Sequence, residues 1–236
     1  MTTINADHAE FAETAETAER VGSASSANSP SSADSAFDGL GTVMQLYRTT
    51  IATPLGDMLA LASDEGLCAL EFTGPKQCAS TSSGRSEALD ERLTRLEARL
   101  RRHFPPHEII DRETPAIART RRWLAAYFAG TSAEIGDLPI DMHGAAFETR
   151  VWKALTRILP GETTSYGAIA KALGSAGASR AVGAANGANP IAIIVPCHRV
   201  IGSSGSLTGY GGGLDRKTWL LDHERRWRRD TQPALF

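Results

Sequence analysis

From residue 44 onward, apolar residues occur in short runs or at helical spacing, and this pattern predicts an alternation of strands and helices. Short apolar runs bounded by Gly, Pro and Asp predict β-strands, whereas apolar residues three and four positions apart among charges predict amphipathic helices. The predicted strands are Met44 to Ile51, Asp57 to Ser63, Leu67 to Phe72 and Glu108 to Asp111. The predicted helices are Leu89 to near His103 and Pro115 to Gly130. The pattern therefore predicts an α/β domain over residues 44–142.

The remaining chain, residues 143–230, is predicted to be a mainly helical domain. Phe147, Val151, Leu155 and Ile158 line one helix face, which closes at Pro160-Gly161. Two further helices are predicted, Tyr166 to Leu173 and Ser179 to Ala188, and a glycine-containing turn joins them. A helix, a short turn and a second helix are typical of a helix-turn-helix unit. The apolar run Ile191 to Val195 then predicts a buried strand that Pro196 ends.

The first 43 residues are polar and acidic, with seven acidic side chains and one arginine. Such a segment buries too little apolar surface to offset its conformational entropy, so we expect a disordered tail. Residues 143–236 carry 12 basic and 6 acidic side chains, a net charge of +6. A basic surface is typical of a protein that binds phosphate groups, although arginines also simply solvate a surface.

Composition restricts the setting in which the protein works. No apolar run approaches the ~20 residues that span a bilayer, so no membrane partner is expected. Three cysteines, at 68, 78 and 197, are an odd number and argue against a disulfide framework. Cys68 and Cys78 lack the paired spacing and histidines of a zinc site. We therefore expect a cytoplasmic protein without a metal or cofactor.

The segment Pro196-Cys197-His198-Arg199-Val200 is the strongest candidate for chemistry, because a cysteine adjoins an imidazole at the end of the apolar run. A thiol attacks only as thiolate, and a neighbouring base assists its ionisation. A buried core cysteine beside a surface histidine is an equally good interpretation of these five residues alone.

The predicted helix from Ser179 is unusually poor in large side chains and contains Gly183 and Gly187. Each glycine inside a helix costs about 1 kcal/mol relative to alanine, so a packing or docking reason is needed. The DNA minor groove is only about 6 Å wide, and a helix surface of Ala, Gly and Ser approaches it more closely than a bulky one. Arg180 projects from this surface and could fill the space of an extruded base. The alternative is tight packing against a neighbouring helix.

Several motifs together resemble the O6-alkylguanine-DNA alkyltransferases, also called methylated-DNA–protein-cysteine methyltransferases. In chain order they are Thr164-Ser165-Tyr166-Gly167, Ser179-Arg180-Ala181-Val182-Gly183, Asn189-Pro190-Ile191, Pro196 to Val200, Gly209-Tyr210-Gly211-Gly212 and Leu220-Leu221-Asp222-His223-Glu224. The resemblance is closest over roughly 147–224. It implies an RNase H-like α/β N-terminal domain, with a small β-sheet and flanking helices. It also implies a mainly α C-terminal domain with a winged helix-turn-helix-like unit that binds DNA and holds the active site.

The resemblance implies a catalytic role for four residues. Cys197 is expected to accept the alkyl group, and its proton is expected to pass through a water molecule to His198, which Glu224 supports. Tyr166 is expected to assist departure of the guanine by hydrogen bonding to a ring nitrogen. The expected substrate-binding residues are Asn189, Val200, Tyr210 and Gly211.

The resemblance also implies double-stranded DNA carrying O6-alkylguanine as the partner, bound through the minor groove by a monomer. The expected DNA-binding residues are Tyr166, Ser179, Arg180, Ala181 and Gly183. The implied activity is irreversible, single-turnover transfer of the alkyl group from O6-methylguanine, and less so from O4-methylthymine, to Cys197. The thioether product offers water no carbonyl to attack.

Three other functions can be weighed against the sequence features that each would require. A non-enzymatic relative that binds alkylated DNA lacks the acceptor thiol, which Cys197 supplies here. A helix-turn-helix transcription factor needs long polar side chains for the major groove, and the helix from Ser179 has the opposite character. A cysteine hydrolase would turn over repeatedly.

Overall fold

An antiparallel hairpin forms the centre of the N-terminal half in a computed structural model that describes residues 43–74 and 89–231, without the side chains of 89–93 and 229–231. Strands β1 (Met44–Ile51) and β2 (Met58–Ala62) pair in a register that places Tyr47 opposite Ala62. The turn between them is closed by Thr53, whose Oγ1 donates to the carbonyl of Gly56. Residues 1–42, and with them the predicted tail, lie outside the described residues.

Two more strands complete one sheet in the described part of the chain. Strand β3 (Leu67–Phe72) pairs antiparallel with β2, and β4 (His107–Asp111) pairs parallel with β1, which gives the order β3-β2-β1-β4. A parallel neighbour requires a crossover, and helix α1 (Leu89–His103) lies in that connection. Helix α2 (Pro115–Phe128) follows β4 and begins with Thr114 as N-cap and Pro115 in the first turn.

The sheet is covered on both faces. One face packs Leu46, Leu59 and Leu61 against Leu96 and Leu100 of α1. The other face packs against α2 and against the C-terminal half of the chain in one continuous core. Because both faces are covered, every residue of strand β2 is buried, and the strand is apolar at every position instead of alternating between apolar and polar residues.

The C-terminal half is mainly helical, as predicted. Its helices are α3 (Ala146–Leu155), α4 (Tyr166–Ala172), α5 (Ser179–Gly187) and α6 (Leu214–Thr231). Helices α4 and α5 form the helix-turn-helix, and Ser165 caps α4 by accepting from the amide of Ala168. Two short parallel strands, β5 (Thr164–Ser165) and β6 (Val200–Ile201), bring the chain after Cys197 beside the start of α4.

The strand predicted over Ile191–Val195 is wrong. Only Ile191 makes a β-bridge, with Leu70 at the edge of the N-terminal sheet, and the following residues form a tight turn. Ile193 has φ of 70°, in the left-handed region, which no strand residue adopts. The residues are buried as predicted, and a buried apolar run does not by itself distinguish a strand from a buried turn.

The α/β N-terminal half and the mainly α C-terminal half confirm the predicted fold class. The described residues, 43–74 and 89–231, fall within one compact unit, so the division at 142/143 stays a prediction from the sequence. No helix among the described residues is both long and apolar enough to cross a membrane.

Candidate active site

The sequence places Cys197 directly after the buried turn, as the first residue of a short 3-10 helix, Cys197–Arg199. The thiol is buried, with 6% of the residue exposed. Two backbone hydrogen bonds attach this turn to strand β3 of the N-terminal sheet. The amide of Leu70 donates to the carbonyl of Pro190 at 2.9 Å, and the carbonyl of Leu70 accepts from the amide of Ala192 at 2.9 Å. The sheet therefore fixes the position of the cysteine although it contributes no chemistry.

The side chain of Asn189 organises this turn from inside. Its Nδ2 donates to Val195 O at 2.8 Å and lies 3.3 Å from Ile191 O, while its Oδ1 accepts from the amide of Ile191 at 3.1 Å. These are backbone groups that a neighbouring strand would otherwise satisfy. The Asn189 side chain thus connects the residues after α5 to the turn that presents Cys197.

His198 and Glu224 form a buried pair. The Nε2 atom of His198 lies 2.9 Å from Oε1 of Glu224, and neither side chain is exposed to solvent. A carboxylate only accepts hydrogen bonds, so the imidazole donates from Nε2 and its Nδ1 is the acceptor nitrogen. Nδ1 is buried and makes no hydrogen bond with the described residues. It is therefore available to take a proton.

Glu224 is held by more donors than His198 alone. Oε1 also accepts from the hydroxyl of Tyr127 at 2.8 Å and from Nη2 of Arg199 at 2.7 Å. Oε2 accepts from Nε of Arg199 at 3.0 Å and from the amide of Gly161 at 3.0 Å. A buried carboxylate with this set of partners keeps its charge.

These surroundings shift three pKa values. Burial would raise the pKa of Glu224, but the hydrogen bonds and charges of His198 and Arg199 outweigh burial and lower it well below its usual range. Burial lowers the pKa of His198, against the opposing effect of Glu224, so the imidazole is neutral near pH 7. Burial also raises the pKa of the Cys197 thiol, although a hydrogen bond from Asn189 and the charge of Lys217 oppose it. The resting cysteine is therefore a thiol beside a neutral base.

Lys217 of α6 is a buried cation within the site. Its Nζ donates to Val200 O at 2.6 Å and to Thr208 O at 2.7 Å, and the residue has no exposed surface. Burial lowers the pKa of Lys217, and the nearby Cys197 opposes that shift. The lysine joins the strand after the cysteine to the loop that carries Tyr210.

A cavity of about 470 Å³ opens above the cysteine. Tyr166, at the start of α4, closes one side, and its hydroxyl lies 3.0 Å from Oγ1 of Thr208. Tyr210 is buried at the other side, and its hydroxyl makes no hydrogen bond with the described residues. A Cβ at Gly212 would meet the Tyr210 ring at 2.6 Å, so only glycine fits there. The lining residues are Tyr166, Gly183, Asn186, Gly187, Cys197, Gly202, Thr208, Gly209, Tyr210 and Gly211.

Helix α5 forms the rim of the cavity and shows two faces. Val182, Ala185 and Asn186 are buried, and Trp152 Nε1 donates to Ala185 O at 2.8 Å. The residues on the outer face, Arg180, Ala181, Ala184 and Gly187, are exposed. A Cβ on Gly183 would come no closer than 3.8 Å to the Tyr166 ring, and one on Gly187 would meet nothing within 4 Å. Contacts inside the protein therefore do not explain these two glycines.

Comparison with known proteins gives the family. The profile described as 6-O-methylguanine DNA methyltransferase, DNA binding domain, matches residues 146–226, and the profile of the ribonuclease-like domain of the same methyltransferases matches residues 46–142. A methylated-DNA–protein-cysteine methyltransferase of Salmonella typhimurium is 40% identical over 185 residues, which cover 77% of this chain and 97% of that protein. The chain belongs to the 6-O-methylguanine DNA methyltransferase family.

Two further comparisons, one with a sequence and one with a crystal structure, agree with this family. A methylated-DNA–protein-cysteine methyltransferase of Mycolicibacterium paratuberculosis is 61% identical over 111 residues, 47% of this chain and 67% of that protein. A crystal structure of Mycobacterium tuberculosis OGT in complex with DNA matches with a TM-score of 0.57 and 39% identity. That match covers 78% of this chain and 94% of the other. The recognition made from the sequence motifs is thereby confirmed.

In this family member, sequence reasoning missed Tyr127, Arg199, Lys217 and Asn186 as parts of the site. Lys217 and Glu224 are seven residues apart on α6 and occupy one face together with the buried Leu220 and Leu221. Charged residues on the apolar stripe of a helix are a signal that the sequence did contain. Tyr127 is 97 positions from Glu224, and no local pattern connects them.

Proposed function

We propose that the chain repairs DNA by direct reversal, in which Cys197 takes the methyl group from O6-methylguanine in duplex DNA and retains it. One observation carries the proposal. A buried thiol is followed in the chain by a buried, neutral imidazole whose Nε2 is engaged by Glu224 at 2.9 Å and whose Nδ1 is unpartnered among the described residues. This is the arrangement of a nucleophile with an oriented general base.

The first step is proton removal. The thiol proton passes, through a water molecule, to Nδ1 of His198, and Glu224 stabilises the imidazolium that results. Because burial raises the pKa of Cys197, the resting cysteine keeps its proton until His198 removes it. The charge of Lys217 supports the thiolate at that moment.

In the second step the sulfur–carbon bond forms and the bond between the methyl carbon and O6 breaks. The electron pair stays on the guanine oxygen and ring, and Tyr166 transfers its hydroxyl proton to a ring nitrogen so that neutral guanine leaves. The proton held by His198 then returns through water to the phenolate, so that both side chains end in their starting state. To do so its hydroxyl exchanges the partner Thr208 for the base. The carbonyls of Cys197 and Val200 accept from the exocyclic amine, and amides near Tyr210 and Gly211 meet the oxygen.

The DNA approaches along the outer face of α5, in the minor groove. The glycines of α5 have room for a Cβ within the protein, which supports an external reason for their small size. Arg180 is the long cation on this face and fills the gap that the flipped nucleotide leaves. Tyr166, Ser179, Ala181 and Gly183 complete the contact surface. The protein acts as a monomer, and O4-methylthymine is a slower substrate.

A turnover measurement tests the reaction. Purified protein is incubated with an excess of duplex oligonucleotide containing one O6-methylguanine, and the repaired strand is counted by chromatography. We expect repair to stop at one strand for each protein molecule. Cys197→Ala should repair none, and the control Cys68→Ala should reach the same end point as the wild type. Repeated turnover, or repair by Cys197→Ala, would exclude the proposal.

A binding measurement tests the DNA face. Arg180→Ala should weaken binding to lesion-containing duplex and slow methyl transfer about tenfold or more, since the arginine compensates for unstacking of the base. Arg122→Ala is the matched control, because Arg122 is an exposed arginine on α2. Equal losses in the two variants would show that α5 is not the DNA-binding helix.

A further inference from the structure

Tyr127 reaches the proposed active site from the N-terminal half of the chain. It lies on α2, has no exposed surface, and donates from its hydroxyl to Oε1 of Glu224 at 2.8 Å. That oxygen is the one that accepts from His198 Nε2 at 2.9 Å. The phenol and the imidazole therefore share a single carboxylate oxygen.

The Tyr127 ring is held rigidly. Trp123 stacks on it with ring centroids 5.3 Å apart and an interplanar angle of 12°, and Phe128 packs edge-on at 5.4 Å. Trp227 of α6 packs edge-on at 6.5 Å, and Nε2 of His223 lies 2.8 Å from the Tyr127 carbonyl. The hydroxyl cannot turn away from Glu224 without disturbing these contacts.

We infer that Tyr127 is a positioning residue of the alkyl-transfer site, which shares the Glu224 oxygen with His198 and so sets how strongly that carboxylate supports the imidazolium. The inference rests on the proposed function of His198 as the base. It also gives the N-terminal half a direct part in the reaction, beyond the support it gives to the turn before Cys197.

The sign of the effect follows from hydrogen-bond competition. Each donor to Oε1 withdraws negative charge, so removal of the phenol hydroxyl leaves an oxygen that holds a protonated imidazole more tightly. The charges around His198 otherwise stay the same. Glu224 raises its pKa, Arg199 and Lys217 lower it, and the ring of Tyr210 packs edge-on at 6.4 Å. Loss of the Tyr127 hydroxyl should therefore raise the pKa of His198.

Tyr127→Phe isolates the hydroxyl, because the ring and its aromatic neighbours remain. The rate constant of single-turnover methyl transfer should rise with pH as His198 loses its proton. In Tyr127→Phe the midpoint should move up by about half a pH unit, so that the rate below the midpoint is roughly threefold lower than in the wild type. A uniform loss of rate without a shift of the midpoint would indicate only a structural role and overturn the inference.

Tyr47→Phe is the matched control. Tyr47 is buried in the same half of the chain, and its hydroxyl donates to Gln45 at 2.9 Å rather than to the site. Its pH profile should keep the wild-type midpoint. If both variants shift equally, the effect comes from loss of a buried phenol hydroxyl in general, and the inference is wrong.

A titration of His198 by NMR does not depend on methyl transfer. Its resonance is identified by its absence in His198→Gln, and its pKa should be higher in Tyr127→Phe than in the wild type. Tyr127→3-fluorotyrosine carries a stronger donor and should lower it. These shifts support the inference even if no methyl transfer occurs, a result that would instead reject the proposed function. An unchanged His198 pKa in both variants overturns the inference.

Discussion

Arg199 Nη2 lies 2.7 Å from Oε1 of Glu224, and both side chains are buried. The guanidinium also donates through Nη1 to the carbonyl of Ile158, so it is fully engaged at the back of the site. A carboxylate that must stabilise an imidazolium has to remain charged in the interior, and a paired guanidinium makes that possible. Arg199, which follows His198 in the sequence, therefore keeps Glu224 charged so that Glu224 can stabilise the imidazolium of His198.

Removal of the Glu224 charge should strongly destabilise the protein. Glu224→Gln leaves Arg199 buried without its counter-charge, which typically costs about 3–5 kcal/mol. The free energy of unfolding, measured with urea, should fall by an amount of this order. Methyl transfer should also slow about a hundredfold or more, because the imidazolium loses its support.

Glu162→Gln is the control for that variant. Glu162 pairs with Arg228 at 3.2 Å on the surface, where an ion pair contributes about 0–1 kcal/mol. The control should unfold almost like the wild type. If Glu224→Gln lowers the free energy of unfolding no more than Glu162→Gln does, the buried Glu224–Arg199 pair does not stabilise the protein as argued.

Acid should weaken the fold in two stages. Burial lowers the pKa of His198, so its stabilising contribution is complete above about pH 6.5, the value in the unfolded chain, and is lost as the pH falls toward the folded value. The pKa of Glu224 is also lowered, because the hydrogen bonds and positive charges of His198 and Arg199 outweigh the effect of burial, which raises it. Its contribution is complete above about pH 4.3 and is lost in stronger acid. The free energy of unfolding in urea, measured from pH 8 to pH 3, should fall in both windows. A flat profile would contradict these shifts.

A bulky residue on the outer face of α5 should block DNA and spare the fold. Ala184 is exposed at the centre of that face, so Ala184→Leu should leave the melting temperature unchanged while the affinity for DNA falls about tenfold or more, because the groove is only about 6 Å wide. Ala125→Leu makes the same change on an exposed position of α2. Fluorescence anisotropy with labelled duplex compares the two. Unchanged DNA affinity in Ala184→Leu would place the contact elsewhere.

The methylated protein should be less stable than the free protein. Cys197 is buried, and an added methyl group in a packed site costs about 1–3 kcal/mol. Thermal unfolding before and after stoichiometric reaction measures the difference, with unmodified duplex as the control. An equal or higher melting temperature after methylation would be evidence against this packing argument.

The elements of the N-terminal half could be predicted closely because each has a local signal. The bounds of β1 and β3 agree with their apolar runs, and α2 begins at Pro115 as predicted. The turn at Ile191–Val195 could not be predicted, because its backbone groups are satisfied by the side chain of Asn189 rather than by a strand. Burial alone leaves those two possibilities indistinguishable.

The site was predictable only as far as its residues lie in adjacent motifs. Cys197 and His198 are neighbours in sequence, and the family resemblance added Glu224. Tyr127 contacts Glu224 only through the fold, and Lys217 acts on backbone carbonyls that any residue could supply. The protonation of Cys197 also depends on burial, which raises the pKa of the thiol and which no local sequence pattern reports.

The most direct test of the central claim is peptide mass spectrometry after reaction with duplex DNA containing O6-methylguanine. We predict one added methyl group, found on the peptide that contains Cys197, with the peptides that contain Cys68 and Cys78 unchanged. A repaired oligonucleotide without a methyl group on Cys197, or a methyl group on another residue, would contradict the account.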